Sequence, residues 1–145
     1  MTTKRFHLAI IFFAALAVSL SGQNTVEKTF TKAFNTDDKS ILRLELPGTI
    51  DLKVWDSPSI RFEISVGLPS GNGSMLNELA NIGRYNMVSK SDGDALVITA
   101  PNLQKQLKVK GQEFKETINF VVFVPKDLQI QMIPPSAPVL ADAKK

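Results

Sequence analysis

The sequence predicts an all-β (β-dominated) single domain with one short helix, and three observations carry that expectation. Short runs alternate apolar and polar residues, as in Leu42-Arg43-Leu44-Glu45-Leu46, and a period of two puts one residue class on each face of a strand. Proline, glycine, asparagine and aspartate collect between the runs, where turns need a preset or positive φ. A single stretch, Met75 to Ile82, spaces its apolar residues for a helix.

The centre of the expected fold is three strands in a row. In Ile41–Leu46, Thr49–Val54 and Ile60–Val66 the apolar positions alternate with Arg43, Glu45, Asp51, Lys53, Arg61, Glu63 and Ser65. Pro47-Gly48 and Asp56-Ser57-Pro58 separate them, so the pattern reads as an antiparallel meander whose apolar face needs a second layer. Ahead of it, Val26–Phe34 reads as an edge strand running into a turn at Asn35–Asp38. After it, Gly67–Ser74 holds Pro69, Gly71 and Gly73 and reads as a loop. Ser74 stands as an N-cap, Met75, Leu76, Leu79 and Ile82 form the core-facing stripe, and Gly83 closes the helix. That helix is expected across an end or edge of the sheet.

A hairpin follows. Tyr85–Lys90 and Ala95–Ala100 flank Ser91-Asp92-Gly93-Asp94, and Asp-Gly between strand-like runs signals a two-residue turn with both φ values positive. Leu96 and Ile98 supply its inward face. Asn102–Lys115 is basic and irregular, with Leu107 and Val109 as a short edge strand whose lysines discourage unwanted pairing. Thr117–Val124 is apolar on both faces, with Ile118, Phe120, Val122 and Val124 against Val121 and Phe123; such a strand is expected to be central and covered above and below. Pro125-Lys126-Asp127 turns the chain into Leu128–Met132, with Gln129 and Gln131 outward, and the three prolines after Met132 mark residues 133–145 as a disordered tail.

Composition bounds the function. Lys4 and Arg5 precede an almost unbroken apolar run, Leu8–Leu20, with small residues at Ser19 and Ser21, which reads as a signal peptide over residues 1–21 rather than a membrane anchor. The protein is expected in the periplasm or outside the cell, with membrane contact only through that peptide before cleavage. Without Lys4 and Arg5, fifteen of the seventeen basic residues remain against fourteen acidic ones, a net of about +1, so the basic balance does not argue for nucleic acid. Cysteine is absent and the one histidine, His7, lies inside the leader, which removes disulfides, thiolates and the commonest general base and metal ligand.

What remains for chemistry is carboxylates, serines and lysines. Asp92 and Asp94 flank Gly93 without the later ligands of a calcium loop, and Asp37-Asp38 reads as a solvated turn. Glu45, Asp51 and Glu63 fall on the wet strand face beside Arg43, Lys53 and Arg61, where cross-strand charge pairing accounts for them. Asn72-Gly73-Ser74 matches a glycosylation sequon by chance in an exported bacterial-type protein. Trp55 and Tyr85 are the two aromatics that could stack on a ligand or cap the core. The lysines of 105–115 are diluted by Glu113 and Glu116 and read as a solvated edge. No catalytic, metal or cofactor residue emerges.

Three stretches together resemble a known family. They are Leu42–Asp56 (Leu-Arg-Leu-Glu-Leu-Pro-Gly-Thr-Ile-Asp-Leu-Lys-Val-Trp-Asp), Ser91–Ile98 and Asn119–Ile130. The pattern resembles the adhesin-like, GIN-type exported domains of bacteria, especially Bacteroidetes, over roughly residues 40–132. The resemblance implies a β-solenoid or roll, no catalytic residues, and a short or truncated member, since few residues follow Met132. The expected domain is therefore residues 41–132, preceded by an edge segment at 22–40 and built as a sandwich or incipient solenoid. Its expected role is non-enzymatic binding of protein or glycan at the cell envelope, without a cofactor. The alternatives are a structural partner that completes another chain's sheet by strand addition, and a carboxylate-only hydrolase acting on carbohydrate.

Overall fold

The structure is a computed structural model that describes residues 25–69 and 73–135. The signal peptide expected at 1–21, Asn72 of the sequon and most of the tail expected at 133–145 lie outside the described residues.

The described residues form β1 Thr25–Asn35, β2 Ile41–Glu45, β3 Thr49–Trp55, β4 Ser59–Pro69, α1 Gly73–Asn81, β5 Val88–Asp92, β6 Ala95–Thr99, β7 Leu107–Val109, β8 Gln112–Phe114, β9 Thr117–Pro125 and β10 Gln129–Met132, with a 3-10 turn at Pro101–Gln104. One sheet has the order β1-β4-β9-β3, a second β10-β2-β6-β5, and β7 pairs only with β8. The two four-stranded sheets face each other across one core that includes Leu42, Leu44, Ile60, Phe62, Ile64, Ile98, Phe120 and Val122. The fold is β-dominated with one short helix, as the alternation predicts.

The meander is corrected. β2 and β3 lie in different sheets, and β3 and β4 share a sheet but are separated by β9. β9 pairs antiparallel with β4 and parallel with β3, while β2 lies parallel to both β6 and β10. Alternation tells which face of a strand is buried and is silent on its neighbour. The corner decides it. Gly48 has φ +98°, and a Cβ there would stand 2.4 Å from the carbonyl oxygen of Ile118. The chain thus presses against β9 as it crosses the core, instead of folding back within one sheet.

Other departures have local causes. β4 runs on to Pro69 and α1 begins at Gly73, because β1 pairs with β4 through Thr25↔Pro69 and carries the strand into the expected loop. Leu76 and Leu79 enter the core, but Ile82 is exposed: α1 ends at Asn81, and Gly83, at φ +81°, bends the chain away. In the β5–β6 hairpin Asp92 pairs with Ala95, so the two-residue turn is Gly93-Asp94, with the positive φ at Gly93. A glycine first and an ordinary φ second is the II′ pattern. β7 and β8 form a hairpin where one edge strand was expected, with φ +50° at Lys110 and +79° at Gly111, the paired positive values of a type I′ turn. β9 is central, yet Val121 and Phe123 are only half-buried; long side chains of the same sheet cover them, not a further layer.

Candidate functional site

Among the described residues the carboxylates do not converge. Asp51 approaches Lys53 (3.9 Å), Glu63 pairs with Arg61 (3.0 Å), and Asp92 pairs with Arg43 (2.7 Å). Asp37 and Asp38 hold the turn after β1 at φ +50° and +57°. Asp94 accepts hydrogen bonds from the Ser40 hydroxyl and backbone N–H, and those bonds hold its carboxyl below the ordinary range. Among the described residues no group of three or more metal-capable side chains gathers. A glycosidase requires two carboxylates across one pocket, and Glu45, Asp51 and Glu63 are spread over two sheets.

Among the described residues one ionic cluster is buried, and it corrects the reading of Glu116 as part of a solvated edge. The Arg84 Nε and Nη2 groups donate to Glu116 Oε2 at 3.2 and 2.6 Å, and the Tyr85 hydroxyl donates to Glu116 Oε1 at 2.7 Å. Arg84 Nη1 also donates to the Asn102 and Lys105 carbonyls, while Asn102 Nδ2 reaches the Gly83 carbonyl. The Glu116 side chain is only 4% exposed. Burial, then the Glu116 carboxylate, pushes the Tyr85 hydroxyl far above its ordinary pKa. Every polar group of this cluster has a partner within the protein, so it ties the segment after β6 to the end of α1. Tyr85, whose ring stacks on Phe30 at 5.0 Å, is accordingly a core residue. A groove of about 290 Å³ opens beside the cluster, lined by Lys105, Lys115, Glu113 and Glu116, and mixed charge there selects no anionic polymer.

Trp55 lies on the outer face at the rim of the first sheet. Its indole N–H donates to the Ser59 carbonyl at 2.8 Å. The Arg61 guanidinium lies 4.9 Å from the Trp55 ring and 4.2 Å from Phe123, and Lys53 stands 5.8 Å from Phe123. Arg61 thus covers one face of each ring, a face a sugar would otherwise stack on. The cluster covers the outer face of β9, and within it the Arg61 Nε is buried without a hydrogen-bond partner.

The geometry that remains unsatisfied is one whole side of the sandwich. β3 is an edge of its sheet, β10 an edge of the other. Short corners link β2 to β3 and β9 to β10, so both edges lie on the same side. Register places Ile50, Leu52 and Val54 beside Phe120, Val122 and Val124 of β9, and Ile130 and Met132 beside Leu42 and Leu44 of β2; all face inward. The β9 and β2 residues are buried, while Val54 is 64% and Met132 59% exposed, and Ile50, Leu52, Leu128 and Ile130 are half-buried. Among the described residues nothing pairs with the outer edge of either strand. Inward apolar side chains beside open backbone edges are the two features a strand-accepting surface needs.

No family model matches the chain, and no curated protein matches it in sequence. Two solved structures are similar to it. One is a candidate cell-adhesion protein from Clostridium sporogenes, 9% identical, with a TM-score of 0.41 over 74% of this chain and 46% of that one. The other is a candidate adhesin from Parabacteroides merdae, 16% identical, with a TM-score of 0.30 over 72% of this chain and 35% of that one. The chain spans less than half the length of either.

Proposed function

We propose that the protein is an exported, non-enzymatic binding module of the bacterial cell envelope, adhesin-like in that it holds a partner, and that it does so by strand addition at the open β3/β10 side. The observation that carries this reading is the pair of inward-facing yet exposed residues, Val54 and Met132, on two unpaired edges of the same side. Of the two partner classes considered, protein is favoured over glycan: backbone edges recognise backbone, and one face of each outer aromatic ring is already covered by Arg61.

The test is cosedimentation of the purified protein with isolated bacterial envelope fragments. Wild type is expected to sediment, and a Val54→Lys, Met132→Lys variant to stay in solution. Ile82→Lys with Val88→Lys, two exposed positions outside β3 and β10, serves as the charge-matched control and is expected to sediment. Protease treatment of the envelopes should abolish binding. Binding that survives both the edge substitutions and the protease would move the site to a glycan-binding face elsewhere.

A further inference from the structure

We infer that the open side pairs with a second copy of this chain, by a two-fold axis that continues both sheets antiparallel from one protomer into the next. The inference rests on the reading of β3 and β10 as strand-accepting edges and names their occupant in the purified protein, a second copy that competes with the envelope protein for the same edges.

Self-complementarity is the argument. Read about Leu52, β3 is palindromic in chemistry: in an antiparallel pair of two β3 strands centred there, Asp51 stands opposite the partner's Lys53, Ile50 opposite the partner's Val54, and Leu52 opposite its own counterpart. Both side chains are more than half exposed on the outer face, 3.9 Å apart within β3, and the second copy lets them exchange that pair for two symmetric pairs across the axis. The five residues Leu128–Met132 have the same property about Ile130: Gln129 meets the partner's Gln131, and Leu128 meets the partner's Met132. Opposite-charge and apolar pairs directly across an antiparallel ladder are the stabilising ones.

The two centres also coincide. Ile130 lies beside Leu42, which stands three positions before Glu45, the last residue of β2; Leu52 stands three positions after Thr49, the first residue of β3. Both centres are therefore equally far from the corner that joins β2 to β3. A single axis normal to the sheets can pass through both, which an isologous interface requires. Closing it would bury Ile50, Leu52, Val54, Leu128, Ile130 and Met132 from each copy and pair both open edges.

The test exploits the absence of cysteine from the sequence. Asp51→Cys and Lys53→Cys proteins are prepared separately, mixed and oxidised. In the inferred register residues 51 and 53 face each other at about 4.5–5.5 Å, within disulfide reach, whereas 51 to 51 or 53 to 53 is a diagonal of about 7–8 Å, at or beyond it. The mixture is expected to give a disulfide-linked heterodimer in excess over either homodimer. Asp51→Lys is expected to weaken association about tenfold, and Asp51→Lys with Lys53→Asp to restore it. A 51–51 disulfide in preference to 51–53 would overturn the antiparallel register. A protein that stays monomeric and uncrosslinked overturns the second-copy occupant. If the Val54→Lys, Met132→Lys variant still fails to sediment with envelopes, the strand-accepting edge survives with a different partner; if it sediments, that reading falls as well.

Discussion

Replacing Glu116 by Ala should be among the most damaging polar substitutions in the described protein. The carboxylate accepts two bonds from Arg84 and one from Tyr85, with its side chain 4% exposed. Its removal leaves a guanidinium buried without a counter-charge, which typically costs about 3–5 kcal/mol. Arg84 keeps the Asn102 and Lys105 carbonyls as acceptors, so the lower end, about 3 kcal/mol, is expected. Glu116→Gln preserves shape and one acceptor oxygen. A hydrogen bond to a charged group is worth about 1 kcal/mol more than a neutral one, and two such bonds are weakened, so about 2 kcal/mol is expected. The assay is urea denaturation followed by tryptophan fluorescence. At a slope of about 2 kcal/mol/M, Glu116→Ala should lower the midpoint by about 1.5 M with the slope unchanged. A shift for Glu116→Ala of less than about 0.3 M would refute the view that this cluster holds the segment after β6 to the core.

Two further outcomes follow from the same geometry. Gly48→Ala forces a Cβ into a positive-φ site facing the Ile118 carbonyl; the dihedral alone should cost about 1–3 kcal/mol, and thermal unfolding should show a larger loss than for Gly93→Ala, where φ is also positive but no atom lies within 4 Å. Tyr85 is the only tyrosine in the sequence, and burial and Glu116 raise its pKa. Its contribution to stability is therefore full below the ordinary phenol value of 10.0 and is lost as pH rises above it. Ultraviolet titration should find no phenolate in the folded protein at about pH 10, where the urea-unfolded chain is half ionised; equal titration of the two states would contradict the buried hydrogen bond.

The sequence makes the faces of this fold legible and leaves its neighbours obscure. Alternation in 41–46, 60–66 and 117–124 identifies Leu42, Leu44, Phe62, Ile64, Phe120 and Val122, all of which are core. The turn signal at Asp92-Gly93 finds the β5–β6 hairpin to within one residue. Pairing is another matter. Parallel contacts such as β2 with β10, whose paired residues Ile41 and Gln129 are far apart in the chain, leave no local trace. Lys110-Gly111 escapes notice because its positive φ falls on a lysine. The Arg84–Glu116 pair bridges separate segments and depends on the fold already being formed. The open side is legible only in retrospect: Thr49–Trp55 alternates like any half-buried strand, and only its place at the edge exposes Val54.

Size-exclusion chromatography with light scattering, run over a range of concentrations, tests the central claim most directly. The account predicts that the wild-type protein moves from monomer to dimer as concentration rises, and that Val54→Lys with Met132→Lys stays monomeric with an unchanged circular dichroism spectrum, since both side chains are already exposed in the monomer. A wild type that stays monomeric at every concentration, or a dimer unaffected by both substitutions, would contradict the claim that the β3/β10 side is where copies of this protein meet.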